Sequence, residues 1–193
     1  MRKIVAFDFD GTLTTRDTFL PFIRYVCGTP RFVLGFILFA PLLVLMKLGL
    51  YPNGKAKQRV FSYFFRGMTI GDFDIFCDQF ATDSRHLLRP KAQKVLRQAQ
   101  ADGAEVLIVS ASIDLWVESF FPGIHVLGTQ VEVEKGRLTG RFLTPNCYGQ
   151  EKVNRILELY PDRESYHLTA YGDSRGDREL LAFADETHYK PFR

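Results

Sequence analysis

No aspartate or glutamate occurs between Thr18 and Gly71, in a chain of 193 residues that has 22 of them. The same stretch holds Arg24, Arg31, Lys47, Lys55, Lys57, Arg59 and Arg66. One segment is therefore basic while the remainder is mildly acidic, which predicts a domain boundary marked by charge. Cysteine is scarce too: Cys27, Cys77 and Cys147 are scattered, odd in number and without CxxC spacing. That excludes a disulfide framework and favours buried, reduced thiols. The four histidines show no pairing that suggests a zinc site. No signal peptide opens the chain, because Arg2 and Lys3 lead straight into a strand. There is no internal repeat and no low-complexity tract. The longest uncharged apolar run, Phe32 to Met46, is shorter than the ~18 residues of a membrane span and contains Pro41.

The rest is an ordinary globular composition, 46% hydrophobic and 24% charged, enough for one core plus a small insert. Lys3 to Phe9 reads as a first strand. Residues 18 to 88 read as helical, broken at Gly28-Thr29-Pro30, Pro52-Asn53-Gly54 and Gly71-Asp72. A helix over 90–101 precedes a buried strand over 104–109, then a helix over 113–120 and a short strand near 125–127. Residues 130–142 alternate around Glu134-Lys135-Gly136-Arg137, which predicts a hairpin. A helix over 150–159, a strand over 166–171, a helix over 178–184 and a strand over 187–189 follow. Strands alternating with helices predict an α/β fold, a parallel sheet with helices on both faces.

Two acidic clusters carry the chemistry. Asp8-Phe9-Asp10-Gly11-Thr12-Leu13-Thr14 follows the apolar run Ile4 to Phe7, and Gly172-Asp173-Ser174-Arg175-Gly176-Asp177 follows Tyr166 to Tyr171. In a parallel sheet, strand ends meet at one edge, so distant residues share one site. Carboxylates gathered there need a cation, and an oxygen-only ligand set suits Mg²⁺. A carboxylate can split phosphate-ester hydrolysis into two steps through an aspartyl-phosphate. Asp8 at the strand end is placed to attack. Asp10 is placed to protonate the leaving oxygen and then to activate water. Gly11 lets the backbone turn, and the N–H groups of such a turn hold phosphate.

Asp8 to Leu13 resembles the first motif of haloacid dehalogenase-superfamily phosphatases. Ser110, ending the strand Val106 to Val109, matches the second-motif hydroxyl. Lys152, in Gly149-Gln150-Glu151-Lys152, matches the third-motif lysine, and Asp173 and Asp177 match the fourth-motif acids. The resemblance implies a Rossmann-like core over residues 1–17 and 88–193. It makes residues 18–87 a helical cap like that of the phosphoserine-phosphatase-like subclass. It implies Asp8 and Asp10 as catalytic residues, and Ser110, Lys152, Gly11, Thr12 and Ala111 as phosphate-binding ones. Mg²⁺ would be held by Asp8, Asp10, Asp173 and Asp177. Asp10 separates phosphoester chemistry from dehalogenation, since halide leaves without a proton. The bland readings are that Ser110 and Asp177 cap helices and that Lys152 is a solvated helix lysine.

The cap bears on the substrate. Its apolar run reads as a buried core helix, a re-entrant hairpin with Phe19 to Val26 as the other arm, or an interfacial helix. A single crossing would leave Asp8 on one side of a membrane and Ser110, Lys152 and Asp173 on the other. Basic, acid-free flanks suit an anionic membrane surface. Asp17-Thr18-Phe19-Leu20-Pro21-Phe22, the apolar insert and the Gly-x-Glu-Lys third motif resemble the phosphatidylglycerophosphatase C type of this subclass. The expectation is a phosphatase for a lipid phosphate such as phosphatidylglycerophosphate. It is expected to be cytoplasmic with peripheral contact at the inner face of the cell membrane, and to have no nucleic-acid partner. Phosphoserine or another small metabolite is the alternative substrate, with Asp17 and Arg59 matching the acid and cap arginine that such enzymes place on it. Phosphoryl transfer to an acceptor other than water, and a non-catalytic membrane-surface protein on this scaffold, are further alternatives.

Overall fold

The computed structural model describes residues 1–193. At its centre is β1 (Arg2–Phe7), flanked by β2 (Glu105–Ile113) and β6 (Tyr166–Gly172), with β3 (His125–Thr129) and β7 (Glu186–Tyr189) at the edges. All five strands run parallel in the order β3-β2-β1-β6-β7. The apolar runs of β1 and β2 reflect burial on both faces, as parallel sheets require. Alternate side chains feed two cores. Phe7, Val106 and Ile108 pack with α4 (Pro90–Ala101) and α5 (Asp114–Phe120). Ile4, Ala6, Leu107 and Val109 pack with Ile156 of α6 (Gln150–Leu159) and Leu180 of α7 (Arg178–Phe183).

Between β1 and α4 lies the predicted cap: α1 (Phe19–Lys47), α2 (Asn53–Phe65) and α3 (Ile70–Asp83). Its inner face is phenylalanine. Phe22 stacks on Trp116 at 4.7 Å and meets Phe65, Phe73 and Phe80 edge-on or tilted at 5.2–5.7 Å. These rings join the cap to the α4–α5 core, so cap and sheet share one hydrophobic cluster. Aromatic pairs of this kind add ~0.5–1.5 kcal/mol each beyond their buried area.

One expected break falls where predicted and another moves. Gly28 takes φ 73 and ψ 162, outside the helical range, and divides α1 into two helical arms. The α2–α3 break falls at Gly67 (φ 86), because Thr69 caps α3 by accepting from Asp72 N at 3.1 Å and draws Gly71-Asp72 into the first turn. The hairpin of β4 (Val131–Glu134) and β5 (Arg137–Phe142) turns through Lys135 and Gly136, both at positive φ, as a two-residue turn prefers. It is stitched to the cap: Gly67 N donates to Leu138 O at 2.8 Å and Ile70 N to Gly136 O at 3.0 Å.

The apolar run of α1 is not a buried core helix; beyond Gly28 it folds back on the Phe19–Val26 arm, so that Met46 lines the same cavity as Leu20. Only Phe19, Phe22, Ile23 and Gly35 are buried along 29 residues. At Gly35 α1 meets α2 so closely that a Cβ would stand 2.3 Å from Phe64 Cζ.

Candidate active site

Asp8 sits just past β1, where its N–H still bonds Tyr171 O at 2.9 Å, so the sheet fixes its position. Its carboxylate accepts from Lys152 Nζ at 2.7 Å and from the Thr12 hydroxyl at 3.1 Å. Gly11 then turns the chain at φ 82; a Cβ there would lie 2.5 Å from Asp173 Oδ2. No other residue fits both the conformation and the space. The Gly11 N–H is taken by Thr14 Oγ1, and Thr12 serves Asp8, so both residues hold the loop that carries the nucleophile candidate.

Lys152 comes from the first turn of α6 and is fully enclosed. Its ammonium donates to Asp8 Oδ1 (2.7 Å), Val109 O (2.8 Å) and Asp177 Oδ1 (2.5 Å), using all three protons. Burial works against its charge, but the two carboxylates outweigh that and raise its pKa. Burial also pushes Asp8 up to about 8, against the pull of Lys152. Burial would raise Asp177 as well; Lys152 and the donors of Ser174 prevail and hold it below the usual range. The other oxygen of Asp177 accepts from the N–H groups of Asp173 and Ser174 and from the Ser174 hydroxyl, at 2.9–3.1 Å. Burial raises Asp173, opposed by Arg193, whose guanidinium pairs with Asp173 Oδ2.

One carboxylate oxygen from each of Asp8, Asp173 and Asp177 lies within 4.8 Å of the other two. Asp173 Oδ1 is buried with no hydrogen-bond partner. An orphaned carboxylate oxygen beside two more, with no nitrogen or sulfur among the donors, fits a hard divalent cation such as Mg²⁺. Asp10, also expected among the ligands, stands outside this group. Thr18 N (2.8 Å) and Thr18 Oγ1 (2.7 Å) occupy one of its oxygens, and Ser112 Oγ (2.5 Å) the other. Burial, then the nearby Asp17, push Asp10 up to about 6, against Ser112, Thr18 and Lys57. A carboxyl poised there can both give and take a proton near neutrality.

Ser110 is buried within β2, just past Val109, where the regular pairing with β3 is interrupted; its Oγ accepts from Ser112 N at 3.0 Å, leaving its own proton free to donate. Ala111 offers its carbonyl to Lys57 Nζ at 2.7 Å and to the Thr129 hydroxyl at 2.8 Å. Asp17 lines the cavity above the acids and caps α1 through Phe19 N at 2.8 Å. Arg59 does not join them. It is exposed over the Tyr51 ring, 5.5 Å from its centroid, and is replaced at the cavity wall by Lys57. Two helical residues differ by about 200° in direction, so sequence distance misassigned the inward cation. Helix phase, counted from the buried Ala56, Val60, Phe61, Phe64 and Phe65 together, was the signal available. Thr18 was marked only as part of the Asp17–Phe22 stretch, with no role of its own, and Arg193 carried no motif signal.

These groups open into one cavity of about 910 Å³, whose wall continues from the acids to Leu20, Phe36, Leu43 and Met46 of α1. A parallel sheet that gathers a carboxylate, a lysine and two further acids beneath an inserted helical cap defines a capped α/β enzyme with a carboxylate-centred site. The chain belongs to the haloacid dehalogenase-like hydrolases, whose pattern it matches over residues 5–182. It is 39% identical over 200 residues to Protein CicA of Caulobacter vibrioides, covering 98% of this chain and 86% of that one. Among solved structures, a protein of unknown function from Bordetella pertussis Tohama I superposes with a TM-score of 0.85 at 20% identity, covering 97% of this chain and 89% of that one. A substrate-bound phosphoserine phosphatase gives 0.67 at 17% identity, covering 98% and 86%. The fold is thus shared with the phosphoserine-phosphatase-like subclass.

Proposed function

We propose that this protein is a Mg²⁺-dependent phosphatase whose substrate is an amphiphilic phosphomonoester, a lipid phosphate such as phosphatidylglycerophosphate. The observation that carries the reading is the single cavity joining the carboxylate cluster to the apolar wall of α1. A phosphate head placed at Asp8 leaves an apolar tail beside Leu20, Phe36 and Leu43. The first two helices of the cap, basic and acid-free, support peripheral contact with an anionic membrane, at the inner face of the cell membrane.

When bound, Mg²⁺ supplies positive charge that offsets the substrate dianion and the developing phosphoryl charge. Asp8 attacks phosphorus; the ester P–O bond breaks, and Asp10 gives its proton to the departing alkoxide. The resulting Asp10 carboxylate then takes a proton from water as its oxygen attacks the aspartyl-phosphate, and the Asp8–phosphorus bond breaks to release inorganic phosphate. Lys152 holds the Asp8 carboxylate aimed by its bonds to Val109 and Asp177 and balances charge throughout. The Ser110 hydroxyl donates to a phosphoryl oxygen. Thr18 and Ser112 keep Asp10 over the leaving-group side.

Phosphoserine is the second reading, supported by Asp17 on the cavity wall and by the shared fold. Against it, a small zwitterion makes no use of the apolar wall. The deciding experiment is turnover of an aryl phosphate with and without Mg²⁺ by wild type and Asp8→Asn, followed by competition between a short-chain lipid phosphate and phosphoserine. Full turnover in Asp8→Asn refutes the catalytic assignment. Preference for phosphoserine reverses the substrate ranking.

A further inference from the structure

After Gly28, α1 has two faces, and they do not follow the usual division of a helix on a water-soluble protein. Phe32, Gly35, Phe36, Phe39, Leu43 and Met46 turn inward, toward α2 and the cavity. The opposite face carries Val33, Leu34, Ile37, Leu38, Val44 and Leu45, with Leu48 just beyond. Leu34, Ile37, Leu38 and Val44 are 57–69% exposed. No charged or hydrogen-bonding side chain interrupts this outer stripe from Val33 to Leu45. A contiguous apolar surface of this kind marks an interaction site.

The surroundings say what covers it. Arg24, Arg31, Lys47, Lys55, Arg59 and Arg66 are all exposed, none is in an ion pair, and no acid lies between Thr18 and Gly71. An apolar stripe bracketed along the chain by Arg31 and Lys47, in a segment with no acid to offset them, fits an anionic lipid surface. By length and composition α1 could also cross a bilayer. Its anchoring forbids that: Phe19, Phe22 and Ile23 are buried in the shared core, and Gly35 is pressed against Phe64 halfway along.

We infer that the arm of α1 beyond Gly28 lies in the plane of an anionic membrane, its outer stripe among the acyl chains, and that its inner face is the wall past which a membrane-resident phosphomonoester slides from the leaflet to Asp8. The docking half of this inference stands on the surface alone; the route of entry rests on the phosphatase reading above. Because both faces belong to one helix, sinking the stripe brings the cavity wall of Phe36, Leu43 and Met46 to the leaflet boundary. The substrate then keeps its tail in an apolar setting from membrane to site.

The test is the variant Ile37→Asp/Leu38→Asp, which changes only the outer stripe. Wild type floats with phosphatidylglycerol-containing vesicles and much less with phosphatidylcholine alone. The variant loses at least tenfold in partitioning while its Mg²⁺-dependent aryl-phosphate turnover stays within about twofold, which also reports that it is folded. Turnover of a long-chain lipid phosphate embedded in vesicles falls in step with partitioning, whereas that of a monomeric short-chain analogue does not. Wild type that does not float, or a variant that floats equally well, overturns the docking surface. So does a wild-type dimer by light scattering that the variant disperses, since the stripe is then covered by a second copy. Unchanged turnover of the embedded substrate despite lost flotation overturns the route of entry alone. Absence of aryl-phosphate turnover in wild type overturns the phosphatase reading and leaves the flotation result to be judged by itself.

Discussion

Replacing Lys152 by methionine keeps the side-chain length and deletes one charge from the most enclosed part of the site. The ammonium is 2% exposed and its partners Asp8 and Asp177 are 7% and 1% exposed, so water cannot take its place. Two carboxylates and the Val109 carbonyl lose their donor together. Breaking a buried ion pair by removing one partner costs about 3–5 kcal/mol. In a chain of this size each kcal/mol moves Tm by about 2–4 °C, so a fall of about 6–20 °C is expected in metal-free protein at pH 7.5. The loss has a pH signature. Without the ammonium, burial and mutual repulsion raise both acids above their unfolded values, so their protonated forms favour the fold. The deficit is therefore smallest below pH ~4 and grows as pH rises through the raised pKa values. Thermal unfolding followed by circular dichroism across pH 4–8 measures this. The double variant Lys152→Met/Asp177→Asn should recover part of the loss, because the carboxylate that folding holds ionised, and that the lost ammonium strands, is gone. A single variant within about 1 °C of wild type at pH 7.5, or a double variant no more stable than the single, refutes the reasoning.

Cation binding should be linked to protons. Asp8 stands at about 8 in the metal-free protein and must ionise to act as a ligand, so Mg²⁺ affinity should rise about tenfold per pH unit up to about 8 and then level off. Titration calorimetry in buffers of different ionisation enthalpy reads the released proton; affinity that is flat from pH 5.5 to 8 contradicts it. In the same window metal-free protein should lose stability as pH rises, since Asp8 is raised by folding, and added Mg²⁺ should return progressively more of it. Lys57→Met should lower kcat/KM by about tenfold or more, a loss of about 1.4 kcal/mol, whereas Arg59→Met should leave it within about twofold. Equal effects of the two would mean that Arg59 also reaches the substrate.

Much of the site was legible because its chemistry is local to strand ends. Asp8 and Asp173 each follow an apolar run and precede a glycine turn, and such a pattern marks the carboxyl edge of a parallel sheet wherever it occurs. The hairpin at Lys135-Gly136 and α4 from Pro90 to Ala101 were equally local, one fixed by turn conformation and the other by a proline start. Where several local signals competed, sequence was a weaker guide. Gly71-Asp72 looks like a break until Thr69 caps the helix one turn earlier.

The chain's residue order alone determined the alternation of strands and helices, the acids at their ends and the charge boundary of the cap. These follow from short-range preferences and from covalent neighbours. Only the tertiary structure decided that Lys57 rather than Arg59 faces the acids, that Thr18 and Ser112 claim Asp10, and that the outer face of α1 is bare. Each of those depends on which surfaces are pressed together across tens of residues. An apolar helix reads the same in sequence whether its second face meets protein or nothing at all.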